Sequence, residues 1–408
     1  MLLSRGRIHS AVPGPSIIPD RVLLSMSKQA PNIYGKEVVE ITESILKDLS
    51  SFAKTSGETV IYIANGHGAW EASIANLFEK KDKILVIATG EFGKGWANLA
   101  IKMGLEVEVL DFGPEETINF NKLEAALRSD KSHKIKGLVT VQADTASSVL
   151  NDLKAIRVVM DSCNHPALFL VDCIASFACD RLEMDDWGID LAVTACQKGL
   201  MTPPGLSYCF VGEKAYLRSM ETKLLSPYWD WKPRMNPKVF YERFYGTAPT
   251  HLLFAQRAAL DMILEEGRQN IFKRHKIFAK AVWSAINHWG EAGSVVLNIK
   301  SSQHRSSAVT TVRADGYDLT KLRNWLKING GLELGPGLGF ESNRYMNGAC
   351  VFRIAHMGHM NPNMLLGLLS TIEMGFLACN IPHNPGASSV AAQRIIDQLS
   401  KIEITANH

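Results

Sequence analysis

Residues 168–208, LFLVDCIASFACDRLEMDDWGIDLAVTACQKGLMTPPGLSY, decide the fold of this 408-residue chain. The apolar run 168–171 reads as a strand buried on both faces, as strands of a parallel sheet do. It delivers Asp172 at its C-terminal end, the edge at which open α/β sheets place ligands. A second run, 190–194, ends four residues before Lys198. Thr202, Pro203, Pro204 and Gly205 then forbid a continuing helix and hold the lysine on a stiff turn. An acid and an amine therefore reach one sheet edge together.

Taken singly, a strand-end Asp is usually an N-cap and a loop Lys a solvated charge. Together, and with Gln197 and the Pro-Pro-Gly turn beside them, they suit pyridoxal phosphate. A lysine amine forms the Schiff base, and a carboxylate keeps the pyridine nitrogen protonated so that the ring can accept electrons.

Upstream, the pattern alternates. Strands over 59–63, 83–88, 105–110 and 137–141 are separated by helices ending at Phe78 and covering 95–103 and 121–128, and a helix over 152–162 leads into the opening stretch, with a last strand at 207–211. Such alternation implies right-handed crossovers and a mainly parallel sheet. The link ANGHGAWEAS, 64–73, joins a strand to a helix through two glycines, an arrangement that binds anions; it is neither a dinucleotide fingerprint nor a P-loop. Phe92 sits at the mouth of a strand-to-helix loop, where an aromatic can cover one face of a flat ring, although Trp96 competes for that role. Thr145 offers a hydroxyl at another strand end. Ser176, in the loop after Asp172, is read as lining the pocket.

At the N-terminus, Pro13-Gly14-Pro15 makes a rigid bend, and Asp20 reads as the N-cap of a short helix. A long helix spans 252–266. Beyond residue 274 a helix over 274–289 and separate strands suggest a smaller α+β domain. There VFRIAHMGHMN, 351–361, alternates as a strand and carries Arg353, a residue type suited to gripping a carboxylate with both guanidinium nitrogens.

The stretch VDCIASF…DDWGIDLAVTACQKGLMTPPGLSY resembles the class V aminotransferases of fold type I, within them the serine-glyoxylate and alanine-glyoxylate group. PGPSIIP at 13–19, QADTASS at 142–148, YWDW at 228–231 and FRIAHMG at 352–358 match in order, so the resemblance covers roughly residues 11–395. It implies an α/β pyridoxal-phosphate transferase of fold type I, with a mainly parallel seven-stranded sheet between helices in a large domain, 22–260. Residues 1–21 and 261–408 would form an N-terminal segment plus a smaller α+β domain.

By the same resemblance, Lys198 carries the cofactor and Asp172 faces its ring nitrogen. Asn65, Gly66 and His67 form the phosphate loop; Phe92, Thr145 and Gln197 contact the cofactor; Arg353 binds the substrate carboxylate. Tyr34 approaches the substrate or a partner subunit. Thr247 and either Tyr245 or Phe244 would reach across a homodimer interface to the partner's cofactor phosphate. Cys173, Ala146, Ser148 and Ala355 depart from the pattern. The implied activity is ping-pong transamination from a small L-amino acid, serine first, to glyoxylate or a similar 2-oxo acid. Alanine or aspartate as donor, or pyruvate as acceptor, is the alternative, and a desulfurase-like enzyme is a more distant one because it needs a mobile reactive cysteine. A silent binding protein on this fold would not need Lys198, Asp172 and Arg353 together.

Composition agrees with this class. Lys plus Arg number 44 and Asp plus Glu 41, so the net charge of +3 is too balanced for a nucleic-acid or membrane-surface partner. Seven cysteines include no CxxC pair or metal-ligand cluster, which points to reduced thiols, no metal, and a cytoplasmic setting, or an organelle matrix in a eukaryote. The first ten residues carry two arginines without an acid, as fragments of transit peptides do, but lead at once into family-like sequence. No apolar run approaches membrane-spanning length.

Overall fold

The computed structural model describes residues 4–224 and 226–406. Its strands are β1 (His9–Ala11), β2 (Glu58–Ala64), β3 (Lys83–Ala88), β4 (Glu106–Asp111), β5 (Ile135–Val141), β6 (Leu168–Asp172), β7 (Leu191–Ala195) and β8 (Gly205–Val211), followed by β9 (Val295–Leu297), β10 (Val309–Ala314), β11 (Leu332–Pro336) and β12 (Val351–Ala355). Seven of them form one sheet in the order β2-β8-β7-β6-β5-β3-β4. Only β8 runs against its neighbours; the pairs β3–β4, β3–β5, β5–β6 and β6–β7 are parallel.

The apolar runs are explained by helices on both faces. Phe169 and Val171 of β6 enter one core with Leu85 and Ile87 of β3, while Leu168 and Leu170 enter the opposite core with Ile84 and Val86. Every residue of β6 and β7 is buried, so these strands have no polar face and their pattern is continuous. The C-terminal ends of β2, β3, β5, β6 and β7 share one edge, where the loops bearing the candidate residues gather.

The second sheet has the order β1-β11-β12-β10-β9, with β1 parallel to β11 and the other pairs antiparallel. Its core, including Phe352, Ile354, Trp289 and Phe376, lies under helices Arg268–Gly290, Pro362–Ala378 and Ala387–Ala406. Because β1 belongs here, the segment after it must cross to the first sheet. Ser16 N–H donates to Gln197 O at 2.9 Å, and Ser16 Oγ donates to Lys198 O at 2.7 Å. Among the described residues, no helix is long and apolar enough to cross a membrane.

Three expectations need correction. Asp20 is the first residue of helix Asp20–Ser25, whose N-cap is Pro19 with no side-chain bond. Gly66 and His67 are not turn residues: helix Gly66–Leu77 starts at Gly66, capped by Asn65, whose side chain accepts from His67 N (3.1 Å) and Gly68 N (3.4 Å). The helix expected over 95–103 covers Glu91–Lys102, since Asp144 accepts from Phe92 N at 2.9 Å and Gly93 N at 3.4 Å and so caps the added turn from another loop.

Ser148, where the family pattern has glycine, adopts φ 65°, a left-handed conformation costly for a residue with a Cβ. Its Oγ offsets that cost by accepting from Thr311 N at 3.1 Å, across to the second sheet. Ser148→Ala keeps the strain and orphans a buried N–H, so it is expected to lose about 1–3 kcal/mol in denaturant unfolding. Ser148→Gly removes the strain as well as the bond and should fall between alanine and wild type.

Candidate active site

At the shared edge, β6 ends in Asp172, fully buried. Its two carboxylate oxygens each take one protein donor: Ile174 N–H to Oδ1 at 2.6 Å and the Trp70 indole N–H to Oδ2 at 2.9 Å. Burial pushes the carboxyl up to about 7, against these two donors and nearby Lys198, while Asp144 reinforces the rise.

Lys198, on the turn after β7, is 9% exposed. Burial brings its amine down to about 8, helped by the charge of Arg353 and opposed by Asp172. An amine in this range is neutral often enough to act as nucleophile or base near neutral pH. Its Nζ donates to the Pro13 carbonyl, so the bend rests against the end of the lysine side chain. Gly14, at φ 103°, is required by its backbone conformation.

A cavity of about 140 Å³ lies between these two groups. Asn65, Gly66, His67, Phe92, Thr145, Asp172, Gln197 and Lys198, all named from the sequence, contribute to its walls. Gly66 packs against the Ile174 side chain, leaving little room for a Cβ there. Trp96 is fully buried behind Trp70, stacked at 5.6 Å and 9°, and does not reach the cavity; Phe92 does.

Arg353 stands beside the cavity, buried and charged. It donates through Nε to Pro336 O at 2.7 Å and through Nη1 to Thr145 O at 3.0 Å, so it bridges the second sheet to a cavity-wall loop. Burial lowers its guanidinium to about 10, still protonated at neutral pH.

Five sequence-named residues lie elsewhere. Ser176, expected to line the pocket, is wholly buried away from the cavity walls, its hydroxyl donating to Gln142 Oε1 at 2.6 Å. Tyr34 is 76% exposed and outside the cavity. Thr247 is exposed, and Tyr245 is 49% exposed with its ring edge-on to Tyr228. Phe244, its competitor for the interface role, is core. Two residues were missed. Asp144 holds the Phe92 loop, and its signal was an acid at the family pattern's Glu position. Trp70 touches both the cavity and Asp172, and its signal was a buried indole whose N–H needs an acceptor.

Cysteines contribute no wall to this cavity. Cys173, Cys179, Cys196, Cys209 and Cys350 are buried, and burial pushes each thiol upward, away from the thiolate a desulfurase uses.

Residues 12–355 match the family model described as aminotransferase class-V. The chain belongs to that family. Among its relatives, the serine–glyoxylate aminotransferase of Methylorubrum extorquens is 33% identical over 397 residues, 95% of each chain. The L-aspartate–glyoxylate aminotransferase of Paracoccus denitrificans is 29% identical over 389 residues, 94% of each chain. The structure of a ureidoglycine–glyoxylate aminotransferase from Bacillus subtilis shares the fold at TM-score 0.83 and 23% identity, over 97% of this chain and 98% of that one.

This class-V aminotransferase therefore has the fold of pyridoxal-phosphate-dependent enzymes and takes that cofactor. The walls fit it. A buried amine and a buried acid line one cavity, an aromatic forms part of its wall, and the N-terminal end of a twelve-residue helix supplies a positive pole for a phosphate.

Proposed function

We propose that this aminotransferase moves an amino group from a small L-amino acid, serine first, to glyoxylate or a similar 2-oxo acid in two alternating half-reactions. The observation that carries the reading is that Lys198 and Asp172 line one cavity at the edge of the first sheet, while Arg353, from the second sheet, is bonded to the carbonyl of the cavity-wall residue Thr145. The serine–glyoxylate relative, similar over nearly the whole chain, supports the choice of donor and acceptor.

Pyridoxal phosphate supplies an electron sink conjugated to the carbon that takes up the amino group. Lys198 would hold the cofactor through its amine and would carry the proton that leaves or reaches the substrate Cα. Asp172 holds a proton at the ring nitrogen, which keeps the sink effective. Asn65, Gly66 and His67 hold the phosphate at the helix start, Phe92 covers one ring face, and Thr145 and Gln197 complete the walls. Arg353 grips the substrate α-carboxylate, which turns the Cα hydrogen toward Lys198.

We further read the enzyme as a homodimer in which Tyr245 and Thr247, exposed and outside the walls of their own cavity, reach the partner's. Tyr34 is read at the substrate or the partner subunit. The domain division at 22–260 against 1–21 and 261–408 is supported by β1 pairing with β11.

The test is a screen of single half-reactions. Serine, alanine and aspartate are added separately to the loaded enzyme, and loss of its visible absorption is timed. Serine should react fastest, and since small side-chain differences are worth about 1–3 kcal/mol in a pocket, the lead should be roughly ten- to hundredfold. A faster aspartate reaction overturns the donor, and no reaction with any of them overturns transamination. Arg353→Ala should raise KM for every amino donor by about ten- to hundredfold, the worth of one charge-assisted bond pair; unchanged saturation removes Arg353 from the carboxylate.

A further inference from the structure

The mechanism above leaves the Trp70 indole without a part, although it is the only side chain that donates to Asp172 among the described residues. Its ring is fixed on several sides. It stacks on Trp96 at 5.6 Å, meets the His67 ring at 4.5 Å, and stands edge-on to Phe92 at 6.4 Å. Two other buried indoles, Trp96 and Trp231, leave Nε1 without a partner, so burial alone does not bring an indole N–H to an acceptor in this chain.

We propose that Trp70 is a positioning residue that keeps the Asp172 carboxylate ionised and aimed at the ring nitrogen of the cofactor. The inference rests on the reading of Asp172 given above. An indole N–H can only donate, so it favours the carboxylate over the acid. With Ile174 N–H on Oδ1 and the indole on Oδ2, the carboxylate cannot swing, and each oxygen keeps a lone pair for a third partner. The need is acute because Asp172 is buried and the charge of Asp144 also disfavours its ionised form. Trp70 also meets the His67 ring, so one side chain spans the phosphate end and the ring-nitrogen end of the cavity.

Trp70→Phe keeps a ring in the stack and removes the donor. In the loaded variant, the pH midpoint of the visible absorption band should move by about one unit, the shift expected for loss of one charge-assisted bond. Its kcat should fall about ten- to hundredfold, with KM for the amino donor within about threefold, because Arg353 is untouched. Trp96→Phe disturbs the same stack without removing a donor and should leave the midpoint in place. An unchanged midpoint in Trp70→Phe, or the same displacement in Trp96→Phe, overturns the role. Should Trp70→Phe fail to fold, the indole N–H resonance of the wild-type holoenzyme decides: it should lie downfield and move on Asp172→Asn, and a resonance indifferent to that change overturns the proposal. The two readings separate cleanly. If Asp172→Asn retains wild-type turnover, the reading of Asp172 itself falls; if it is inactive while Trp70→Phe is normal, only the role of Trp70 does.

Discussion

Lys198→Ala should abolish the Schiff-base absorption band of the loaded enzyme and lower kcat by at least about 10⁴-fold, since it removes both the covalent attachment and the proton carrier in one change. Cofactor retained without a covalent link should be removable by dialysis. A variant that still turned over within tenfold of wild type would overturn the assignment of the lysine. Stability supplies a second readout. The folded amine titrates near 8 rather than 10.5, so the unfolded chain binds more protons between those values. Stability of the cofactor-free wild type should therefore rise as pH increases from about 8 to 10.5, by roughly 3 kcal/mol at most, and Lys198→Ala should flatten that rise.

Asp172→Asn is the second large effect. With the acid gone, the ring nitrogen loses its proton and the sink weakens, so kcat should drop about 10²- to 10⁴-fold while KM for the donor changes little. A fall in KM affinity with kcat preserved would place Asp172 at the substrate instead. The pH sign is opposite to that of the lysine. The folded carboxyl titrates near 7 and the unfolded one near 3.8, so the native state holds the extra proton between them. Stability of the cofactor-free protein should fall as pH rises from about 4 to 7, by roughly 4 kcal/mol at most, and Asp172→Asn should lack this slope in urea titrations.

Much of this site was legible because it lies on short-range pattern. The continuous apolar runs of β6 and β7 and the stiff turn after Lys198 place acid and amine on one edge with no knowledge of distant contacts. The parts that escaped depend on distant ones. The helix carrying Phe92 begins a turn early because Asp144, more than fifty residues later, caps it. Ser176 was expected on the cavity because of its nearness to Asp172 in sequence, but Gln142 claims its hydroxyl. The competition between Phe92 and Trp96 was decided by layers: Trp96 is one ring further from the cavity, behind Trp70. Apolar periodicity marked the helix that carries Trp70 but could not reveal that its indole N–H meets the end of β6.

The first strand and the bend after it carry one more implication. Residues 9–11 are woven into the edge of one sheet, and residues 13–16 rest on the reactive amine carried by the other. Arg353 sits two strands in from that same edge. The sheet that carries Arg353 and the turn that carries Lys198 are therefore joined through residues 9–16, so loosening that short segment should disturb both sides of the cavity at once.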